Sequence, residues 1–209
     1  TIYRIVVTLT EMQYLKKVGR NEYELGPKVL SNGFVYLSSR DIVQVAAPFL
    51  SDLRDETSAS CHLAIKENLD AIYIYQAQSP QLMAVNVRIG TRFPCHTVAI
   101  GRALLWGLSD EALNSHFAGV AFDASYPPGP RSLPELRMLL AKEREQGYSE
   151  NHSHSSVALA NPVTNYASQV VAAINVSIPE VVIEDIVVKR RLIELLQETA
   201  RAISQALGG

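Results

Sequence analysis

The first 26 residues carry hydroxyl, aromatic and basic side chains at spacings that suit contact with nucleic acid. One apolar stripe recurs at helical spacing and consists of Ile2, Ile5, Val6, Leu9 and Met12. The opposite face of the same helix holds Thr1, Tyr3, Arg4, Val7 and Thr8. Hydroxyls, an aromatic ring and a guanidinium are groups that contact base edges and phosphates in a major groove.

A basic hairpin is predicted directly after this helix. It carries Lys16, Lys17 and Arg20, and a short strand follows in which Tyr23 and Leu25 alternate with glutamates. A helix followed by a basic hairpin and a strand is typical of a recognition helix with its wing, so we predict a partial winged helix over residues 1–26. The predicted DNA contacts are Thr1, Tyr3, Arg4, Thr8, Lys16, Lys17 and Arg20.

The charge distribution separates this segment from the rest of the chain. Residues 1–20 hold four cations against Glu11, a net of +3, whereas the whole chain has a net charge of −2, so the remainder carries −5. A basic tip on an acidic body fits a protein that touches phosphates at one end only. The alternative is that these cations form an ordinary solvated face.

Length and composition limit the class of protein. The chain has 209 residues, of which 47% are hydrophobic, which allows one large domain or a large domain with a small appendage. Its two cysteines, Cys61 and Cys95, are too few for a disulfide scaffold and favour a reducing cytoplasm. No apolar run approaches the roughly 20 residues of a membrane span, so no membrane partner is expected.

Two helices are predicted after the partial winged helix. Gly26-Pro27 ends that unit, and Pro27 suits the first turn of a linker helix over residues 27–39. Ser38 to Asp41 offers an N-cap for a second amphipathic helix, in which Pro48 would introduce a kink or a restart. The third unit, residues 40–209, is predicted to be one large domain.

The order of elements in this domain predicts an α+β fold with one central antiparallel sheet flanked by helices, because strands do not alternate with helices as in a βαβ chain. Strands are predicted over residues 60–66, 71–76, 82–89, 157–163 and 169–177. Helices are predicted over residues 97–106, from 109, over 133–146 and over 186–207. Residues 123–132 and the polar stretch 148–156 are predicted to be loops.

A ligand site is predicted where an irregular turn, Pro94 to Gly101, leads into a helix. The first amides of a helix lack partners within it and favour carboxylates and phosphates. The small residues Thr97, Ala99 and Gly101 would let a ligand approach the backbone. The apolar wall that a small pocket needs would come from Leu82, Phe93 and Ile100.

Two polar residues on a predicted strand point to the same site. Asn175 and Ser177 are two apart, so they face the same side of the strand and alternate with apolar neighbours. Polar side chains on the inner face of a central strand are costly unless they are paired, which suggests a bound polar partner. The alternative is a solvated outer face.

Histidine and cysteine residues are candidates for metal binding and catalysis. His96 would cap or orient the predicted helix start, or contact a carboxylate when protonated. Cys95 beside it could be an activated nucleophile, although a buried cysteine is the commoner case. Adjacent Cys-His pairs at 61–62 and 95–96 point to opposite faces of a strand and chelate zinc poorly. The sequence holds no phosphate-binding loop, dinucleotide motif or nucleophile elbow, and we predict no cofactor, metal or catalytic residue.

Three blocks of the sequence resemble a known protein family. The first runs from Thr1 through Gly19 to Gly26 and looks like the end of a winged helix. The second, Arg88 to Ala103, carries a glycine-proline-histidine pattern, and the third comprises the paired strands around Leu159–Val163 and Val170–Ser177. Together they resemble the IclR (isocitrate lyase regulator) family of bacterial transcription factors, and the resemblance covers nearly all of the chain.

The resemblance implies a GAF-like effector domain, a homodimer or homotetramer, operator DNA and a small organic acid effector, aromatic or aliphatic. Residues 150–156 border the effector site in the family, and here they depart from its usual acidic and glycine pattern. The implied effector contacts are Leu82, Phe93, Ala99, Ile100, Ala158, Asn175 and Ser177, to which the helix-start argument adds His96 and Thr97. The alternatives are a stand-alone GAF-like sensor without DNA binding and a hydrolase that depends on Cys95.

Overall fold

The computed structural model describes residues 2–20, 22–38, 41–81, 87–122, 129–153 and 156–208, with the backbone alone at 33–38 and 41. The described chain divides into two compact units, Thr1–Gln44 and Val45–Gly209. None of the described helices is long and apolar enough to cross a membrane.

The first unit contains a helix, a hairpin and a second helix. Their bounds are α1 (Ile2–Glu11), β1 (Leu15–Lys17), β2 (Tyr23–Leu25) and α2 (Pro27–Ser38). The two strands pair antiparallel, with Leu15 opposite Leu25, as the sequence predicts. Position 26 requires glycine because a Cβ there would collide with the Gln13 carbonyl. The Gly26 N–H donates to the Tyr14 carbonyl at 2.8 Å.

The second unit is built from one sheet with helices on both faces. A helix that starts in the first unit, α3 (Asp41–Thr57), leads into it. The strands are β3 (Ser60–Glu67), β4 (Asp70–Ala77), β5 (Arg92–Pro94), β6 (Ser149–His152), β7 (Ser156–Thr164) and β8 (Val170–Pro179). The helices are α4 (Ala99–Leu104), α5 (Asp110–His116), α6 (Leu133–Gln146), α7 (Glu180–Ile183) and α8 (Ile186–Ala206).

The six strands form one antiparallel sheet, which confirms the predicted α+β class. Their order is β5-β4-β3-β8-β7-β6, so β3 and β8 are central. The β3–β4 hairpin turns at Asn68, whose φ of 55° is tolerated by asparagine. Because β8 is central and covered on both faces, Ala172 to Ile178 are all buried.

The two faces of the sheet pack against different helices. The short helix α4 contacts β3, β4, β6, β7 and β8, and all six of its residues are buried. The long helix α8 contacts β7 and β8 through a stripe that buries Leu192, Leu196, Ala200 and Ile203. Successive residues of β8 therefore alternate between a face under α4 and a face under α8.

Three predicted element boundaries are wrong. Residues 87–89 are not in a strand, and the strand that pairs with β4 is instead Arg92–Pro94; residues 82–86 lie outside the described part. The predicted loop 148–156 contains strand β6, because residues 149–152 pair antiparallel with β7 and the Ser149 hydroxyl donates to Glu143. The helix predicted from Thr97 begins only at Ala99, since the Thr97 N–H and hydroxyl both bond to the Pro94 carbonyl.

Other elements fall where the sequence places them. Helix α6 matches residues 133–146; Ser132 accepts a hydrogen bond from the Glu135 N–H, and Gly147 ends the helix at a φ of 83°. Ser109 caps α5, and Asp185 caps α8. The predicted N-cap at Ser39 and Arg40 and the loop residues 123–128 lie outside the described residues.

We predict that Gly101→Ala destabilises the second unit. An added Cβ would lie 2.5 Å from the Cys95 carbonyl oxygen and 2.6 Å from its Cα, so backbone must move. We expect a loss of about 1–3 kcal/mol in the free energy of unfolding, measured by urea denaturation.

The matched control is Gly107→Ala, whose Cβ would lie 3.2 Å from Val170 Cγ2 and 3.7 Å from the Val170 backbone nitrogen. Its effect should be clearly smaller. Equal stabilities of the Gly101→Ala variant and the wild type would show that α4 does not pack on Cys95 as described.

Candidate functional site

A cavity of about 110 Å³ lies on the α4 face of the sheet. It is lined by residues of β4, β5, β6, β7 and β8 and by the start of α4. The apolar lining residues are Val87, Phe93, Val98, Ala99, Ile100 and Ala158, and those with polar groups are Tyr73, Asn151, Ser153, Ser156, Asn175 and Ser177. None of these lining residues carries a formal charge at neutral pH.

Asn175 and Ser177 face this cavity from the central strand β8. Their exposed fractions are 2% and 5%, so the alternative of a solvated outer face is wrong. The Asn175 amide Nδ2 donates to Ser177 Oγ across 3.4 Å. Two polar side chains are thus held together at the wall of the cavity, where a ligand could use their remaining hydrogen-bonding capacity.

His62 on the neighbouring strand β3 is hydrogen-bonded to Asn175. It was not predicted as a site residue from the sequence. It lies directly across from Asn175 in the β3–β8 register, with Nδ1 2.9 Å from Asn175 Oδ1. Burial lowers the pKa of His62 to about 4, although the hydrogen bond to Asn175 raises it, so the ring is neutral at pH 7. The sequence offered a histidine on a strand but no register to show its partner.

Aromatic rings form the inner wall. Tyr73 packs edge-on against both His62 and Phe93, with ring centroids 5.5 and 5.9 Å apart. Burial raises the pKa of Tyr73, so its phenol stays protonated. Edge-to-face rings of this kind fix one another's orientation. These two ring contacts fix the orientation of the Tyr73 and Phe93 rings at the cavity wall.

Strand β6 and the residues after it supply a polar rim that was predicted as loop. Asn151 is 8% exposed and lines the cavity with Ser153 and Ser156. The two serine hydroxyls lie 2.6 Å apart, which ties the end of β6 to the start of β7. The resemblance had placed residues 150–156 beside the effector site, but no local pattern identified which of them face it.

The structure brings some of the predicted effector contacts together and leaves others apart. Those that line the cavity are Phe93, Ala99, Ile100, Ala158, Asn175 and Ser177. Leu82 lies outside the described residues. Thr97 is absent from the described lining, because its hydroxyl donates to the Pro94 carbonyl at 2.8 Å.

His96 also lies away from the cavity, against a pair of phenylalanine rings. Its ring centroid is 5.8 Å from that of Phe117 and 4.9 Å from that of Phe122. Burial lowers the pKa of His96, and the charge of Arg102 lowers it further. The protonated form that would contact a carboxylate is therefore disfavoured, and the side chain acts as part of the core.

A buried ion pair fixes the position of α4 relative to β6. Arg102 Nε donates to Glu143 Oε1 at 2.8 Å, and both side chains are 2% exposed. Arg102 Nη2 also donates to the Glu150 carbonyl at 2.6 Å, and Ser149 Oγ donates to Glu143 Oε2 at 2.8 Å. Burial raises the pKa of Glu143, while Arg102 and Ser149 act against that rise. These bonds join two walls of the cavity.

The cysteines do not form a nucleophilic site. Cys61 and Cys95 are fully buried, and burial raises the pKa of each thiol to about 12. A neutral, inaccessible thiol is a poor nucleophile. Within the described ranges, no three metal-binding side chains are grouped as a site. His152 is engaged with Glu150 at 2.9 Å and Glu180 at 3.3 Å, and His154 lies outside the described residues.

The predicted DNA contacts lie on the surface of the first unit. Tyr3 is 77% exposed, Arg4 and Thr8 are exposed beside it on α1, and Thr1 lies outside the described residues. Lys17, Arg20 and Tyr3 line one shallow hollow between α1 and the hairpin. Lys16 pairs with Glu24 at 3.0 Å across the hairpin. Hydroxyl, aromatic and basic groups are thus presented together on one unit.

We predict that Glu143→Gln costs about 3–5 kcal/mol in unfolding free energy, because it leaves the Arg102 charge buried without its partner. Urea denaturation would measure the loss. The double variant Arg102→Met/Glu143→Leu should regain most of it, since it removes both charges.

The matched control is Glu194→Gln on the surface of α8, where Arg191 lies 3.8 Å away and both side chains are more than half exposed. An exposed pair of this kind contributes about 0–1 kcal/mol. Similar losses in the two glutamine variants would contradict a supporting role for the buried pair.

We also predict that the native chain shows no fast-reacting thiol toward Ellman's reagent at pH 8. Both thiols are buried with their pKa raised to about 12, so thiolate is scarce. Both should react after unfolding in urea. One fast thiol that disappears in a Cys95→Ala variant would restore the nucleophile hypothesis.

Comparison with known proteins identifies the family. The family model for the bacterial transcriptional regulator IclR C-terminal domain matches residues 34–205. The HTH-type transcriptional regulator XynR of Escherichia coli (strain K12) is 32% identical over 212 residues, which cover 100% of this chain and 84% of the relative. The HTH-type transcriptional repressor AllR of Salmonella typhi is 31% identical over 190 residues, covering 89% of this chain and 69% of the relative.

Solved structures share the fold. The Thermotoga maritima IclR superposes with a TM-score of 0.81 at 21% identity, covering 99% of this chain and 85% of that one. An IclR transcriptional regulator from Alicyclobacillus acidocaldarius gives a TM-score of 0.82 at 24% identity, covering 99% and 84%. The family model and the two curated relatives show that this chain belongs to the IclR family of bacterial transcriptional regulators.

Proposed function

We propose that the cavity between α4 and β8 binds a small organic acid, and that the bound acid modulates the affinity of the N-terminal unit for operator DNA. The observation that carries the proposal is the burial of Asn175 and Ser177 at the wall of a cavity. The proposed effector contacts are Phe93, Ala99, Ile100, Ala158, Asn175 and Ser177, with Tyr73 and Asn151 added by the geometry.

The character of the cavity supports a small ligand with one polar end. Phe93, Val98 and Ile100 offer apolar surface, and Asn151, Asn175 and Ser177 offer neutral polar groups. Pockets of this mixed character orient a ligand by a few polar contacts while burying its apolar part. An aromatic acid and an aliphatic keto or hydroxy acid both fit this description.

DNA contact is proposed for the basic surface of the first unit. Tyr3, Arg4, Thr8, Lys16, Lys17 and Arg20 would contact bases and phosphates, and Thr1 is assigned the same role from the sequence. The proposed organisation is a winged-helix segment at residues 1–26, a linker helix at 27–39 and an effector domain at 40–209. Cationic and hydroxyl groups on a helix and its adjoining hairpin are suited to a major groove and its flanking phosphates.

We further propose that the protein acts in the bacterial cytoplasm as a homodimer or homotetramer. Regulators that bind two half-sites about one helical turn apart need two symmetry-related DNA-binding units. Membership in a family of transcriptional regulators favours this function over a stand-alone sensor, and over an enzyme that would use the buried Cys95.

We predict that at least one acid in a panel of small aromatic, keto and hydroxy carboxylates raises the melting temperature of the wild type. Binding to the folded state alone contributes about 2.7 kcal/mol at a hundred times the Kd, a shift of a few degrees for a chain of this size. The Ser177→Ala variant should show a smaller shift with the same acid.

The matched control is Ser115→Ala, an exposed serine on α5 that does not line the cavity. It should respond as the wild type does. A flat response of the wild type across the panel, or an equal shift in the Ser177→Ala variant, would count against binding at this cavity.

A further inference from the structure

Three buried polar side chains form a chain of hydrogen bonds that ends at the cavity. His62 Nδ1 lies 2.9 Å from Asn175 Oδ1, and Asn175 Nδ2 donates to Ser177 Oγ at 3.4 Å. His62 is fully buried and does not itself line the cavity. The last two members do line it, so the direction of donation along the chain decides what a ligand meets there.

A main-chain group at the far end sets that direction. The Val87 N–H points to His62 Nε2 at 3.5 Å. A backbone N–H can only donate, so Nε2 must carry the lone pair and the ring proton must be on Nδ1. The Nδ1–H then donates to Asn175 Oδ1, which fixes the amide with its NH₂ group toward Ser177 and the cavity.

We infer that His62 positions Asn175 and Ser177 as a pair of hydrogen-bond donors, so the cavity takes the acceptor end of its ligand, a carboxylate or carbonyl oxygen. Ser177 Oγ accepts from Asn175, which leaves its own O–H to donate. The second hydrogen of Asn175 Nδ2 is the other donor. His62 is a positioning residue because it acts on the ligand through Asn175. This inference deepens the proposed function and rests on it for the presence of a ligand.

The opposite polarity would reverse the selectivity of the site. With a proton on Nε2, two hydrogen-bond donors, the Nε2–H and the Val87 N–H, would point at each other. The lone pair on Nδ1 would then accept a hydrogen bond from Asn175 Nδ2, and Asn175 Oδ1 would turn toward Ser177. The cavity would present acceptors and would select amines. The two arrangements differ in where one proton lies, and that position can be measured.

The first test locates this proton by NMR on the full chain labelled with ¹⁵N at histidine. The His62 signals are assigned by their loss in a His62→Asn variant. We expect a proton bonded to Nδ1 and none on Nε2 at pH 7. A proton on Nε2 overturns the inference whether or not any ligand is known.

The second test compares two acids with their amine counterparts, benzoate with benzylamine and pyruvate with isopropylamine, by calorimetric titration. The wild type should bind at least one acid about tenfold or more tightly than its amine, because a charged acceptor meets two donors. An equal or reversed preference overturns the inference.

Two variants of His62 separate positioning from packing. His62→Asn keeps an N–H where Nδ1 lies and should retain the preference for the acid. His62→Leu removes the donor and should reduce that preference to within about threefold, even where overall affinity also falls. Retention of the full preference in His62→Leu shows that the histidine serves packing alone.

The failures of the two proposals are distinguishable. If none of the four probes binds the wild type, the proposed function loses its support for acids of these two kinds, and the proton position alone then decides the inference. If acids bind but the proton is on Nε2, the proposed function stands and the inference fails.

Discussion

The buried pair of Arg102 and Glu143 is the interaction on which the cavity depends. It joins α4, which forms the apolar wall, to α6 and to the start of β6, which forms the polar rim. Each member has several hydrogen bonds, so neither charge is buried without compensation. Gly101, next to Arg102, lets α4 lie directly on the backbone of Cys95. A close backbone contact and an ion pair thus fix a six-residue helix that could not be stable alone.

The central strand adds a second constraint on the same cavity. Strand β8 buries side chains on both faces, and on the α4 face two of them are polar. Buried polar groups stay in place only when bonded, and His62 supplies the bond from the neighbouring strand. The polar rim is also bonded to α8, since Glu150 accepts a hydrogen bond from Lys189 of α8 at 2.7 Å. Glu150 accepts a further hydrogen bond from His152 at 2.9 Å. A ligand that contacts Asn151 is therefore one residue along the chain from Glu150, which holds α8 through Lys189.

The sequence predicted elements whose signals are local. Helix α6 has its capping serine and its terminal glycine directly at its ends, and β7 and β8 are apolar runs joined by a short turn, so all three fall close to their predicted bounds. Strand β6 was missed because Ser149 and Asn151 are polar, and their burial is made possible by Glu143 and by the cavity. Strand β5 was missed because three residues carry too little pattern, and only pairing with β4 makes them a strand.

The order and spacing of residue types alone determined the α+β class, the basic first unit and the likeness to a family of regulators, because periodicity, capping and charge are properties of neighbours in the chain. The same information placed Asn175 and Ser177 on one side of a strand. Only the tertiary structure decided that this side lines a cavity, that His62 lies opposite Asn175 across 113 residues of chain, and that His96 belongs to the core. Strand register and helix packing bring distant residues together, and a single sequence does not encode that register in any local pattern.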